Sequence, residues 1–162
     1  MDTNVEIRRE LVTLVGIGGL DPVEFLDLRT RNYEFWKPYS PPMEASLHPE
    51  AQPRVLEQLN RMWADNHSLF FGIRSNDSAS LVGIIALENI ARADGRMSAD
   101  LGYAIDRDNL RKGYALDAVS GSLAIAFEGL LLRRVVAGVQ PDNHRSIKLL
   151  EKIGFQFEGV AR

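Results

Sequence analysis

Between residues 68 and 106 the hydrophobic period of this chain switches to that of strands, and that switch limits the available folds more than any other feature. Ser68 to Arg74, Leu81 to Ile90 and Ala99 to Asp106 have strand length and strand composition, and only Ser75-Asn76-Asp77-Ser78 and Ala93-Asp94-Gly95-Arg96 separate them. Gaps that short leave no room for a helical crossover, so the three strands form an antiparallel meander. Any fold proposed for the chain must be built around this sheet.

The flanks supply helices and further strands. Leu11-Val12-Thr13-Leu14-Val15 reads as a strand that leaves into the turn Gly16-Ile17-Gly18-Gly19. Asp21, Pro22 and Glu24 make a helix start, with Phe25, Leu28, Asn32 and Phe35 or Trp36 on one face and a stop before Pro38. Lys37-Pro38-Tyr39-Ser40-Pro41-Pro42 is an extended loop. A second helix starts near Pro53 and runs to about Asn66, with Val55, Leu56, Leu59, Met62 and Trp63 inward. After the meander, Tyr114 to about Gly129 is a core-facing helix, Arg134 to Gln140 a buried strand, and His144 to Ile153 a short helix stopped by Gly154. Phe155-Gln156-Phe157 begins a last strand. The order predicts one α+β domain over residues 1–162, with a mixed, mostly antiparallel sheet and helices on both faces.

Composition narrows the partners. A net charge of -3 and a pI near 5.6 argue against broad attraction to nucleic acid or an anionic membrane. Without cysteine there is no disulfide, thiolate metal site or cysteine nucleophile. His48, His67 and His144 lie far apart without carboxylates at ligand spacing, so no metal is expected. The apolar runs fall short of the roughly 20 residues a membrane span needs, and the first residues carry no export signal, which places the protein in the cytoplasm.

The strongest local signal for chemistry is a strand ending at Asp106, then Arg107 to Ala115, then a long amphipathic helix. A helix start offers unpaired N–H groups and a positive dipole end, Gly113 and Ala115 keep the backbone accessible, and Arg111 and Lys112 add charge. The spacing is not that of a nucleotide-binding P-loop. Taken alone, the segment fits an anion site and an ordinary solvated loop equally well.

The second half of the chain, from about Leu81 to Arg162, resembles the GNAT superfamily of acetyl-coenzyme A N-acyltransferases. Leu101-Gly102-Tyr103-Ala104-Ile105 is similar to that family's fourth strand, and Leu110 to Ala115 to its Gln/Arg-x-x-Gly-x-Gly/Ala pyrophosphate motif. Pro141-Asp142-Asn143-His144-Arg145-Ser146, Leu150 to Phe155 and Glu158-Gly159 resemble the RimJ/RimL-like branch, which acetylates N-termini of ribosomal proteins. The resemblance implies a GNAT-like sheet whose fourth and fifth strands splay around acetyl-coenzyme A. The cofactor-binding residues it implies are Tyr103, Ala104 and Ile105 along the strand, Leu110, Arg111, Lys112, Gly113, Tyr114 and Ala115 at the pyrophosphate, and Asn143 with Ser146 near the pantetheine.

The reaction implied is attack of a neutral amine on the thioester, with a backbone N–H around Tyr103 to Ile105 stabilising the oxyanion. Asp100 is the first candidate for a base and Glu88 the second, although each also reads as a solvated strand-end carboxylate. Ser146 is the candidate acid and equally a first-turn helix hydroxyl; Asn143 equally caps that helix. Trp36 and Tyr39, with Glu88, are candidates to line a substrate cleft, and Trp36 also suits the core. The acceptor is a protein N-terminus or a small-molecule amine.

Departures from the family pattern point the other way. Leu110 replaces the usual Gln or Arg, Arg111 stands where a glycine is common, and Leu150 stands where many members carry a tyrosine acid. The chain stops at Arg162, where members usually continue into another strand, so the C-terminal strand reads as truncated and Phe155 to Ala161 as an open edge that a homodimer would cover. The competing expectation is a catalytically silent acyl-coenzyme A sensor or scaffold.

Overall fold

The structure, a computed structural model, describes residues 2–92, 95 and 97–161. Six strands, β1 (Glu6–Arg8), β2 (Val12–Gly16), β3 (Leu69–Ser75), β4 (Leu81–Ala91), β5 (Ser98–Ile105) and β6 (Arg134–Val136), form one sheet in the order β1-β2-β3-β4-β5-β6. Every neighbouring pair is antiparallel except β5 with β6, which is parallel. The meander expected from residues 68 to 106 is therefore β3 to β5, while Ala93, Asp94 and Arg96 of its second turn lie outside the described residues.

Among the described residues four α-helices flank the sheet: α1 (Pro22–Trp36), α2 (Gln52–Ala64), α3 (Tyr114–Ala124) and α4 (His144–Ile153). Helix α1 starts as its sequence requires, because the Asp21 carboxylate accepts the N–H groups of Val23 and Glu24 at 2.9 and 2.8 Å. It packs on one face of the sheet, where Phe25 meets Phe70 edge-on at 5.9 Å and Glu24 pairs with Arg74. Strand alternation sends Ser75 to the opposite face, where it bonds the Tyr114 hydroxyl of α3 at 3.0 Å. Helices thus cover both faces. Helix α2 adds Trp63, almost fully buried against Phe71. Helix α3 ends in a wider turn, Ile125–Gly129, with π-type bonding.

Three expectations need correction. Strand β1 is additional, since Glu6-Ile7-Arg8 carries a single apolar residue, so the two strands expected to splay apart are β5 and β6. Strand β6 stops at Val136 instead of Gln140 because it pairs with β5 over three residues only. Residues 155–161 form no strand, so the edge across which a homodimer was expected does not exist there; the edges of the sheet are β1 and β6. The segment is instead fastened beside β6 by an ion pair between Arg134 and Glu158. No described helix is long and apolar enough to cross a membrane.

Candidate active site

The parallel pairing of β5 with β6 covers Ser98, Ala99 and Asp100 and then ends. From Leu101 to Ile105, β5 keeps β4 on one side and has no strand on the other. The Asp106 N–H bonds the Val82 carbonyl at 2.8 Å, and the two-residue alternation of an antiparallel ladder then turns Ala104 and Gly102 toward β4 and Leu101, Tyr103 and Ile105 toward the opening. Of the three strand residues expected at the ligand, Tyr103 and Ile105 offer backbone groups to the opening, and Ala104 does not, being paired with Ile84. The Ile105 carbonyl is already engaged by the Trp36 indole N–H at 3.0 Å.

Beyond β5 the chain is held by a buried carboxylate. Asp106 accepts from Arg31 at 2.9 Å and from Asn109 at 3.1 Å, and the Arg107 N–H donates to Asn32 at 3.0 Å. Burial alone would raise the Asp106 carboxyl; the donors, led by Arg31, outweigh it and hold the group below its ordinary range. This anchor fixes where the next residues turn. Arg111 takes a left-handed conformation, φ 62°, where a glycine is common, and Gly113 takes φ 82° as the residue before α3. A side chain at Gly113 would also collide with Leu11, only 2.8 Å away.

No side chain caps α3. Asp117, the acidic residue of its first turn, faces away and accepts the Leu11 and Val12 N–H groups at 2.7 and 3.2 Å. Among the described residues the N–H groups of Gly113, Tyr114 and Ala115 reach no acceptor, which leaves the positive end of the helix open to an anion. They border a groove of about 330 Å³ lined by Ile105, Leu110, Arg111, Ala115, Leu149 and Lys152, among others. Arg111 and Lys152 make no ion pair among the described residues. Lys112 instead turns back to the Asn109 side chain at 2.8 Å, and the Tyr114 ring is buried.

The two faces of β5 at the opening differ in chemistry. On the α3 and α4 face, the Tyr103 hydroxyl lies 2.7 Å from Ser146 Oγ in the first turn of α4, and Asn143 caps that helix by accepting the Ser146 N–H at 3.3 Å. On the α1 face, Glu88 is exposed opposite Asp100. Its carboxylate stands 3.6 Å from where a Gly102 side chain would begin, so the missing side chain leaves space over the strand. Asp100, itself the last residue paired with β6, also faces solvent but accepts the Asn89 amide at 2.8 Å.

Of the expected residues, Ile105, Leu110, Arg111, Gly113, Tyr114 and Ala115 line one groove, Tyr103, Asn143 and Ser146 are joined by hydrogen bonds between β5 and the start of α4, and Glu88 lies on the other face of the sheet. Trp36 is 4% exposed and serves as a core residue, whereas Tyr39 is open to solvent. Sequence reasoning included Gly102 only as part of the strand, and missed Leu149 and Lys152. Leu149 and Lys152 follow Ser146 at helical spacing, which was the available signal; the space over Gly102 had none, because it depends on Glu88 across the ladder. Among the described residues no group of three or more His, Asp or Glu side chains could hold a metal ion. An extended ligand bearing amides at one end and an anion at the other matches the cleft, with a carboxylate and a hydroxyl pair on opposite faces of the strand.

Comparison with known proteins points the same way. The model of the acetyltransferase (GNAT) domain family matches residues 20–156. The probable N-acetyltransferase YjcK of Bacillus subtilis is 32% identical over 143 residues, which cover 88% of this chain and 78% of that protein. The ribosomal protein uS5-alanine N-acetyltransferase of Escherichia coli is 26% identical over 143 residues, 88% of this chain and 73% of its own. Among solved structures, the ribosomal-protein-S5-alanine acetyltransferase of Vibrio fischeri superimposes with a TM-score of 0.84 at 26% identity, over 96% of this chain and 85% of the other. Mycobacterium smegmatis RimJ, in complex with CoA-disulfide, shares the fold with a TM-score of 0.84 at 23% identity, over 98% and 77% of the two chains.

Proposed function

Because the chain belongs to the acetyltransferase (GNAT) domain family and is an N-acetyltransferase, we propose that it moves the acetyl group of acetyl-coenzyme A to a protein N-terminal α-amine of the ribosomal-protein kind. The observation that carries this reading is the opening beside Leu101 to Ile105, with Glu88 on one face of the strand and Ser146 on the other. Acetyl-coenzyme A supplies the activated acyl group as co-substrate. Its pantetheine amides pair with the free backbone of β5 as an added strand, and its pyrophosphate takes the N–H groups of Gly113, Tyr114 and Ala115 with Arg111 and Lys152 beside it.

The acceptor approaches over Gly102, from the face that Glu88 occupies. Its nitrogen attacks the carbonyl carbon, the Tyr103 N–H receives the developing oxyanion, and the sulfur departs toward Ser146. Glu88 accepts the proton lost by the nitrogen. It suits this better than Asp100, whose carboxylate is committed to Asn89. A single exposed carboxylate is a weak base, adequate for an α-amine of pKa about 7.7 to 8.0 and poorly matched to a lysine near 10.4. The relatives named as ribosomal-protein alanine acetyltransferases support the same choice of acceptor.

Mass spectrometry of peptides incubated with acetyl-coenzyme A tests this. One acetyl group is expected on the α-amine of an alanine-initiated peptide and none on internal lysines. Transfer confined to lysine side chains or to small amines overturns the choice of acceptor.

A further inference from the structure

The Tyr103 hydroxyl is joined to the start of α4 by a short hydrogen bond. Tyr103 is half-buried between β5 and α4, and among the described residues its hydroxyl has a single partner, Ser146 Oγ at 2.7 Å. The contact admits either hydroxyl as donor. With Tyr103 donating, Ser146 Oγ receives and the serine's own proton is left for a third group. The serine is fixed from the other side as well, because its N–H is bound by Asn143. Burial pushes the Tyr103 phenol up, so it stays protonated and able to donate through the neutral range. One turn further along α4, Leu150 is 5% exposed and brings no hydroxyl to that face.

We propose that Tyr103 is a positioning residue for the leaving group: by donating to Ser146 Oγ it aims the Ser146 proton at the departing sulfur. The inference rests on the reading above, in which the thioester sulfur lies beside Ser146. As the nitrogen–carbon bond forms, the carbon–sulfur bond breaks and its electron pair stays on sulfur. The thiolate is held by the Ser146 O–H and takes its proton from water, the acceptor nitrogen having given up its own through Glu88. Tyr103 and Ser146 end the cycle with their protons in place.

The probe is coenzyme A itself, its thiol titrated in the complex by ultraviolet thiolate absorbance for the wild type, Tyr103→Phe, Ser146→Ala and the double variant. Binding affinity and melting temperature are measured alongside. Ser146→Ala is expected to raise the bound thiol by about one pH unit, tenfold in thiolate stability, the scale of one hydrogen bond to a charged group. Tyr103→Phe should raise it by a comparable amount with little change in affinity, and the double variant should match Ser146→Ala. If Ser146→Ala shifts the thiol while Tyr103→Phe does not, or if the two shifts add, Tyr103 does not act through Ser146 and the inference falls alone. If coenzyme A does not bind, or Ser146→Ala shifts nothing, the donor-site reading fails and takes this inference with it.

Discussion

At the scale of single residues, two carboxylates that face each other across β4 and β5 are expected to behave differently. Glu88 has no polar partner among the described residues and stands above Gly102, while Asp100 is held by Asn89 and belongs to the last pair made with β6. Glu88→Gln should lower kcat/KM by about 10²-fold or more, the usual scale for a general base, and leave acetyl-coenzyme A affinity nearly unchanged. Asp100→Asn should cost severalfold at most. Steady-state kinetics together with calorimetry on the two variants separates them, and equal losses would mean that neither carboxylate acts as the base. The sequence pointed first to Asp100 because position along a strand was all it offered. What ranks the pair is the Asn89 amide, delivered by a left-handed residue, φ 51°, at the irregularity of β4. Such a contact has no signature in spacing.

At the scale of elements, the start of α3 matters most, because its uncapped N–H groups depend on Asp117 being turned elsewhere. That carboxylate joins α3 to the turn between β1 and β2 through Leu11, Val12 and Arg9. Asp117→Ala is expected to destabilise the fold by about 2 kcal/mol, as for lost hydrogen bonds to a charged group, read as a lower urea midpoint at unchanged slope. Helix α1 was legible because Asp21, Pro22 and Glu24 act on their immediate neighbours, and the meander was legible because alternation is local. Asp117 was not, since its partners lie 106 and 105 residues away. Strand β6 was overestimated for a related reason: Ala137 to Gln140 are apolar enough for a strand, but β5 has already parted from them. The cofactor loop was visible as a loop before a helix. Its bend at Arg111 was not, because a non-glycine residue in a left-handed conformation costs about 1–2 kcal/mol and runs against propensity.

At the scale of the whole molecule, Asp106 links α1, β4 and the strand that opens: Arg31 reaches both its carboxylate and the Leu81 carbonyl, and Asn109 closes the loop behind it. The folded protein holds this carboxyl below its ordinary 3.8. Its contribution to stability is therefore complete above that value and is lost as pH falls through the lower folded value. Urea midpoints measured from pH 6 downward should decline most steeply below about pH 4, and Asp106→Asn should flatten that decline; an unchanged slope would remove Asp106 from the account. A different consequence follows from the unpaired length of β5. On the proposed binding mode an extended ligand would complete main-chain bonds that β5 lacks, so occupancy would add resistance to unfolding, about 2.7 kcal/mol when the ligand is at a hundredfold excess over its Kd. Degradation that acts on the unfolded chain would then slow as the acyl donor became plentiful, and the lifetime of the protein would report the supply of that donor.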